Sequence, residues 1–223
     1  MSHFTVVDGL KYRIEPTKQM AVAIQCDTDS AKICIPKYVE NCIVREIASD
    51  IFNNNQTLKE IQMPDTIQKI HFCAFRNAYN LEKVNIYTTG CLMCLLTVDM
   101  LAFADCCNLQ EVVVPSCKPV TLLNGAFINC VSLENFDCEF FVLDSYALSN
   151  CPKLTNIVFS HGARWKSTTF QGSKQIKDIT FLGNIGKDLT NGDIRWLKCR
   201  NIKCHIESEL AELSYIGANI ELF

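Results

Sequence analysis

The chain has 223 residues, of which 48% are hydrophobic, 20% charged and 14 cysteine, with a formal charge of -3. That apolar content excludes a disordered chain, and 21 Lys and Arg against 24 Asp and Glu leave no basic excess for tracking nucleic-acid phosphates. The longest apolar run, Cys91 to Leu96, is six residues where a membrane helix needs about 20, and the start carries no basic and apolar leader of the secretory kind.

Residues 4 to 30 read as an N-terminal cap in which Asp8-Gly9 turns between two short strands. Ile33-Cys34-Ile35-Pro36 then opens a partial repeat, so that 1–43 form the cap and first partial unit. Residues 44–188 hold six repeats anchored on Phe52, Phe75, Phe103, Phe127, Leu148 and Phe170, with spacings of 23, 28, 24, 21 and 22. Five residues before the anchors stand Ile47, Ile70, Val98, Leu122, Leu143 and Trp165. Six after them come Leu58, Leu81, Leu109, Leu133, Leu154 and Ile176; nine after, Ile61, Val84, Val112, Phe136, Ile157 and Ile179; eleven after, Met63, Ile86, Val114, Cys138, Phe159 and Phe181. All thirty of these positions are apolar, where composition alone gives about 14.

Apolar-x-x-apolar-x-apolar ends in a strand-like alternation with one buried face. A unit of about 23 residues cannot bury that face alone, so copies must stack into a parallel sheet and a solenoid. The residue before the anchor is Ala in four repeats and Thr169 in the last, as expected where backbone approaches closely. Three after the anchors, Asn55, Ala78, Cys106, Cys130, Cys151 and Ser173 form a small-residue slot able to hydrogen-bond turn backbone. The 28-residue repeat carries an insertion around 88–95. Beyond 189 the pattern fades into a degenerate repeat and C-terminal cap over 189–223. Ile194 stands there as a possible anchor, Ile202-x-Cys204-x-Ile206 as a last strand, 208–213 as a helical turn and 219–223 as a closing strand. No linker divides these parts, and one domain is expected.

Leu-x-x-Val-x-Val-Pro at 109–115 and Ala-Phe-x-x-Cys-x-x-Leu at 102–109 and 126–133 resemble the BspA-like class of leucine-rich repeats. The resemblance covers roughly residues 4 to 206 and implies a mostly β solenoid with irregular turns, a parallel sheet on one face and caps at both ends. It also implies a non-catalytic protein-interaction module. Relatives of this class are often bacterial or protozoan surface proteins that attach to host proteins and other cells, which makes a surface or secreted adhesin-like protein the alternative to an intracellular one.

The cysteines decide little by number. Cys106, Cys130 and Cys151 share one slot stacked about 5 Å apart, and three in a column cannot all pair, so free buried thiols are expected and an intracellular, reduced protein is favoured. Cys91-Leu92-Met93-Cys94 is a C-x-x-C near Cys106-Cys107 and marks the alternative of a metal or redox site, without the fourfold ligand set or the βαβ context that such chemistry uses. His3, His71, His161 and His205 are scattered, and no H-E-x-x-H, nucleophile elbow or phosphate loop occurs. No catalytic, cofactor or metal residue is therefore assigned, and no enzyme activity is expected.

Function falls to the exposed strand positions, which stack into columns. One runs Lys32, Glu60, Lys83, Glu111, Asn135, Asn156, Asp178; the next Cys34, Gln62, Asn85, Val113, Asp137, Val158, Thr180; the third includes Pro64, Tyr87, Pro115 and Glu139. Lys83, Asn85, Tyr87, Glu111, Val113, Asn135, Asp137, Asn156 and Val158 are the candidate surface for a protein or peptide, with Tyr87 as an aromatic anchor. The same residues equally suit a merely soluble sheet face. A monomer is expected, with weak self-association through an incompletely covered end.

Overall fold

The computed structural model describes residues 2–90, 94–116, 118–184, 191–197, 200–204 and 219–222. The chain opens with three antiparallel strands, β1 (His3–Val7), β2 (Leu10–Glu15) and β3 (Met20–Cys26). Asp8 and Gly9 both have positive φ, 50° and 76°, which gives the β1–β2 hairpin a two-residue turn twisted to match its strands. Leu10, Tyr12 and Ile14 alternate inward and close the end of the core.

Over residues 32–143 the successive coils contribute strands to two parallel sheets. One sheet holds β4 (Lys32–Cys34), β7 (Glu60–Pro64), β9 (Lys83–Tyr87), β11 (Glu111–Val113) and β13 (Asn135–Asp137). The other continues from β3 through β6 (Cys42–Ile47), β8 (Lys69–Ile70), β10 (Leu96–Val98), β12 (Val120–Leu122) and β14 (Phe140–Leu143), with β5 (Tyr38–Val39) paired to β6. The ten-residue β15 (Asn156–Trp165) pairs with β14 at Phe159 and, after a register shift, at Arg164 and Trp165, and with β16 (Asp178–Phe181) through its first half. β17 (Asn201–Cys204) and β18 (Asn219–Leu222) follow in parallel. The second sheet goes beyond the one-sheet expectation. From β6 to β14 its strands are two to six residues long, and in β10 and β12 one outward threonine sits between two buried aliphatics, too brief an alternation to stand out in sequence.

All thirty apolar repeat positions are buried. The anchor rings stack as a column, with Phe52–Phe75, Phe75–Phe103 and Phe103–Phe127 centroids 4.7, 4.6 and 4.7 Å apart. The third side of the coil is a ladder of turns. The anchor N–H of Phe52, Phe75, Phe103, Phe127 and Leu148 donates to the carbonyl of Ala74, Ala102, Ala126, Ala147 and Thr169 in the next coil. The alanine column is small for this reason. In the slot three after the anchor, the thiols of Cys106, Cys130 and Cys151 donate to the carbonyls of Phe75, Phe103 and Phe127 at 3.1, 3.2 and 3.3 Å, and the Ser173 hydroxyl to Leu148 at 2.6 Å. A polar slot residue thus satisfies the anchor carbonyl of the preceding coil.

A further column was not anticipated. Two residues after each anchor, Asn54, Asn77, Asp105, Asn129, Asn150 and Gly172 all have positive φ. Asn and Asp tolerate that conformation, and the amides also pair along the axis: Asn77 donates to Asn54 at 3.0 Å, Asn129 to Asp105 at 2.8 Å and Asn150 to Asn129 at 3.0 Å. At the far end the anchor is corrected. α1 (Asn191–Leu197) leaves Ile194 half-buried and instead stacks Trp196 on Phe170, centroids 4.7 Å apart. A helix advances only about 1.5 Å per residue, so its core-facing ring arrives later in the sequence than in an irregular turn. The strand at 201–204 and the closing strand at 219–222 are present, while Ile206 and 208–213 lie outside the described residues.

Candidate functional site

The columns written from the sequence are in register. Lys32, Glu60, Lys83, Glu111 and Asn135 face one another across β4, β7, β9, β11 and β13, and Asn156, Asp178, Asn201 and Asn219 do so across β15 to β18. Much of this face is already satisfied by its own neighbours. Lys32 pairs with Glu60 at 3.0 Å and Lys83 with Glu111 at 2.5 Å. The hydrogen bond to Glu111 raises the Lys83 ammonium above its ordinary range, and Gln62 followed by Lys32 lowers the Glu60 carboxyl. Past β15 the amides take over: Asn201 donates to Asp178 and Asn219 to Asn201, each at 2.8 Å.

Between the two runs the ladder breaks. The carbonyls of Ala31, Lys59, Glu82, Gln110 and Thr155 each accept from two successive N–H groups of the next coil, as when Gln110 accepts from Glu134 and Asn135. Among the described residues no such bond joins the Glu134 carbonyl to Thr155 or Asn156, and β13 is the last strand of its sheet. A solvent-open cleft of about 510 Å³ lies there, lined by Glu134, Asn135, Pro152, Lys153, Thr155 and Gln175. Lys153 bridges it to Glu134 at 2.9 Å. The break falls where the ring stack ends. Leu148 follows Phe127 as anchor, and Phe136, the one aromatic in its column, meets Phe127 and Phe140 edge-on at 4.8 and 4.9 Å. Asn135, Asp137 and Asn156 are exposed at this seam and carry no side-chain bond among the described residues, with Val113 and Val158 half-buried on either side.

Tyr87 is differently employed from the free anchor that its column position suggested. Its hydroxyl donates to the Ile35 carbonyl at 2.8 Å, two coils away, and burial raises its pKa. Tyr87 lies directly opposite Pro64 in the β7–β9 register. Beside it lies a polar cluster that no motif announced. The Asp65 carboxylate, 1% exposed, accepts from the Thr89 N–H at 2.7 Å and from its hydroxyl, and Lys37 donates to the Thr89 carbonyl at 3.2 Å. Lys118, 2% exposed, donates to the carbonyls of Asp65 and Cys94 at 2.8 and 2.9 Å. These groups tie down the base of the insertion. Cys91, Leu92 and Met93 lie outside the described residues, and Cys94 accepts from Gln68 at 3.7 Å. Among the described residues no group of three or more His, Cys, Asp or Glu side chains is placed to hold a metal. Apart from Cys94, the described cysteines are free thiols. Burial pushes Cys151 up to about 12 and Cys106, Cys130 and Cys138 well above the ordinary thiol value.

The pattern of the BspA type leucine rich repeat region matches in six copies, over residues 31–115 and 93–191. The chain belongs to the BspA-type leucine-rich repeat family. No curated protein matches its sequence. Solved structures of similar fold include the leucine-rich repeat protein of T. pallidum, at 16% identity and a TM-score of 0.55, covering 93% of this chain and 84% of that one. A leucine-rich repeat protein from Bacteroides ovatus matches at 17% identity and a TM-score of 0.54, and the pneumococcal vaccine antigen PcpA at 17% and 0.52. These two cover 90% and 99% of this chain, which spans 49% and 47% of their lengths. At such identities the likeness establishes the fold. No described helix is long and apolar enough to cross a membrane.

Proposed function

We propose that this BspA-type repeat protein is a non-catalytic interaction module that binds a protein or peptide on the exposed strand face, centred on the seam between β13 and β15. The observation that carries this reading is the contrast along the face. On either side, Lys–Glu pairs or amide ladders satisfy one another, while at the seam Asn135, Asp137 and Asn156 keep free hydrogen-bonding capacity beside Val113, Val158 and an open cleft. Free polar groups flanking half-buried aliphatics suit a partner that buries the aliphatics and pairs with the amides. Lys83, Tyr87 and Glu111, already engaged within the fold, form the flank of this surface together with Asn85.

Pull-down with the chain as bait tests the reading. Asn135→Arg with Asp137→Lys and Val158→Glu abolishes capture of the partner, whereas reversing Lys83 and Glu111 together, which preserves their pairing, weakens it less. Full capture by the triple variant would move the site to the turns or to the other sheet.

A further inference from the structure

We propose that β1 pairs with β1 of a second copy of this chain, giving an isologous dimer whose two sheets run on as one. β1 ends its sheet, bonded to β2 on one side and, among the described residues, to nothing on the other. Edge strands are ordinarily protected by a lysine, a proline or a bulge. β1, His-Phe-Thr-Val-Val, has none of these, and its register with β2 is unbroken from His3↔Ile14 to Val7↔Leu10. Phe4 and Val6, at 60% and 62%, are the most exposed large hydrophobic side chains described.

The phase of the hairpin fits self-pairing. A two-residue turn makes the closing pair Val7↔Leu10 a hydrogen-bonded one, so the backbone groups of Val7, Thr5 and His3 point to β2 and those of Phe4 and Val6 to the open edge. An antiparallel two-fold through Thr5 sets Phe4 opposite Val6 of the second copy, and Val6 opposite its Phe4. Each of those pairs exchanges two bonds through these outward groups. The same register lays the aromatic against the β-branched side chain on the outer face, a favourable cross-strand pair, and sets Thr5 against Thr5 as the close, non-hydrogen-bonded pair. Lys11 and Arg13, on β2, flank this apolar patch without meeting their own copies. Glu40, bonded to Thr5 and His3, opposes its symmetry mate across the axis, which makes the pairing reversible and concentration-dependent.

Sedimentation velocity across a concentration series tests this, with a rise from the 25.2 kDa monomer toward twice that mass expected at the highest concentrations. Val6→Pro removes two of the four intermolecular bonds and none of the hairpin's, and leaves the chain monomeric with its circular dichroism unchanged. Thr5→Cys brings two thiols to the separation that a disulfide spans, so mild oxidation yields a covalent dimer absent from the wild type and from Phe4→Cys. A monomer at every concentration, association that survives Val6→Pro, or a Thr5→Cys chain that does not cross-link would each overturn the proposal.

Discussion

The ring column makes a prediction that separates stacking from burial. Phe52 and Phe103 are equally buried, each 1% exposed, but Phe52 touches one neighbouring anchor ring and Phe103 touches two, at 4.6 and 4.7 Å. Replacing either by Leu, the residue that naturally occupies the anchor at Leu148, loses a comparable amount of buried apolar surface. The difference between them is then one aromatic pair, about 0.5–1.5 kcal/mol. Urea unfolding of both variants is expected to place Phe103→Leu below Phe52→Leu by that margin at an unchanged m-value. A double-mutant cycle sharpens it. Phe75 and Phe103 are in contact and should couple by about the same amount, whereas Phe52 and Phe103, with Phe75 between them, should be additive to within about 0.5 kcal/mol. Equal losses for the two single variants together with no coupling between Phe75 and Phe103 would refute the idea that stacking geometry, beyond filled volume, stabilises the column.

Three other outcomes follow from named groups. Cys130→Ser keeps a donor for the Phe103 carbonyl in the slot that Ser173 fills two coils on, and should change stability by less than about 1 kcal/mol, whereas Cys130→Val, which adds a methyl and removes the donor, should cost about 2 kcal/mol or more in the same unfolding assay. Because burial raises the Cys106, Cys130, Cys138 and Cys151 thiols, the unfolded chain ionises first on the alkaline side. Stability is therefore intact below the ordinary thiol value of about 9 and falls above it by up to about 1.4 kcal/mol per thiol per pH unit, until about 12 for Cys151. A denaturation midpoint independent of pH between 8 and 11 would contradict this, as would rapid native-state alkylation of those four thiols. Lys118→Ala leaves the carbonyls of Asp65 and Cys94 without their charged donor and should destabilise the protein by about 3 kcal/mol, with hydrogen exchange rising first at Thr89.

What the sequence makes legible follows from what repeats. The core is readable because every coil needs a large apolar side chain at the same five offsets. The positive-φ column was equally present in the letters, as Asn, Asn, Asp, Asn, Asn and Gly two residues past each anchor. Its meaning depends on backbone conformation, and the neighbouring Phe–Cys spacing dominates the pattern. Trp196 was not readable, because a helix changes the arithmetic of the last anchor. Nor was the Asp65, Thr89 and Lys118 cluster, which occurs once and joins residues up to 53 apart. A repeat search averages such features away.

The binding face shows the same division more sharply. The alternation Lys32, Glu60, Lys83, Glu111 is visible in sequence and becomes two ion pairs because the strands are in register. Their mutual attraction is also what limits them as recognition groups, since a partner that takes Lys83 must first separate it from Glu111 in an exposed setting where the pair is worth little but the desolvation is real. Asn135 and Asn156 look in sequence like two more members of that column. Their availability comes from bonds that are missing, those of the Glu134 carbonyl to the next coil, and a missing bond leaves no mark on residue type. Tyr87 is the converse case: an aromatic among polar residues suggests a contact for a partner, yet its hydroxyl is spent on the Ile35 carbonyl of its own chain. Tyr87→Phe should therefore lose about 1 kcal/mol of stability by thermal unfolding while leaving partner capture intact. Capture lost without any change in stability would return Tyr87 to the role of anchor and displace the seam as the centre of the site.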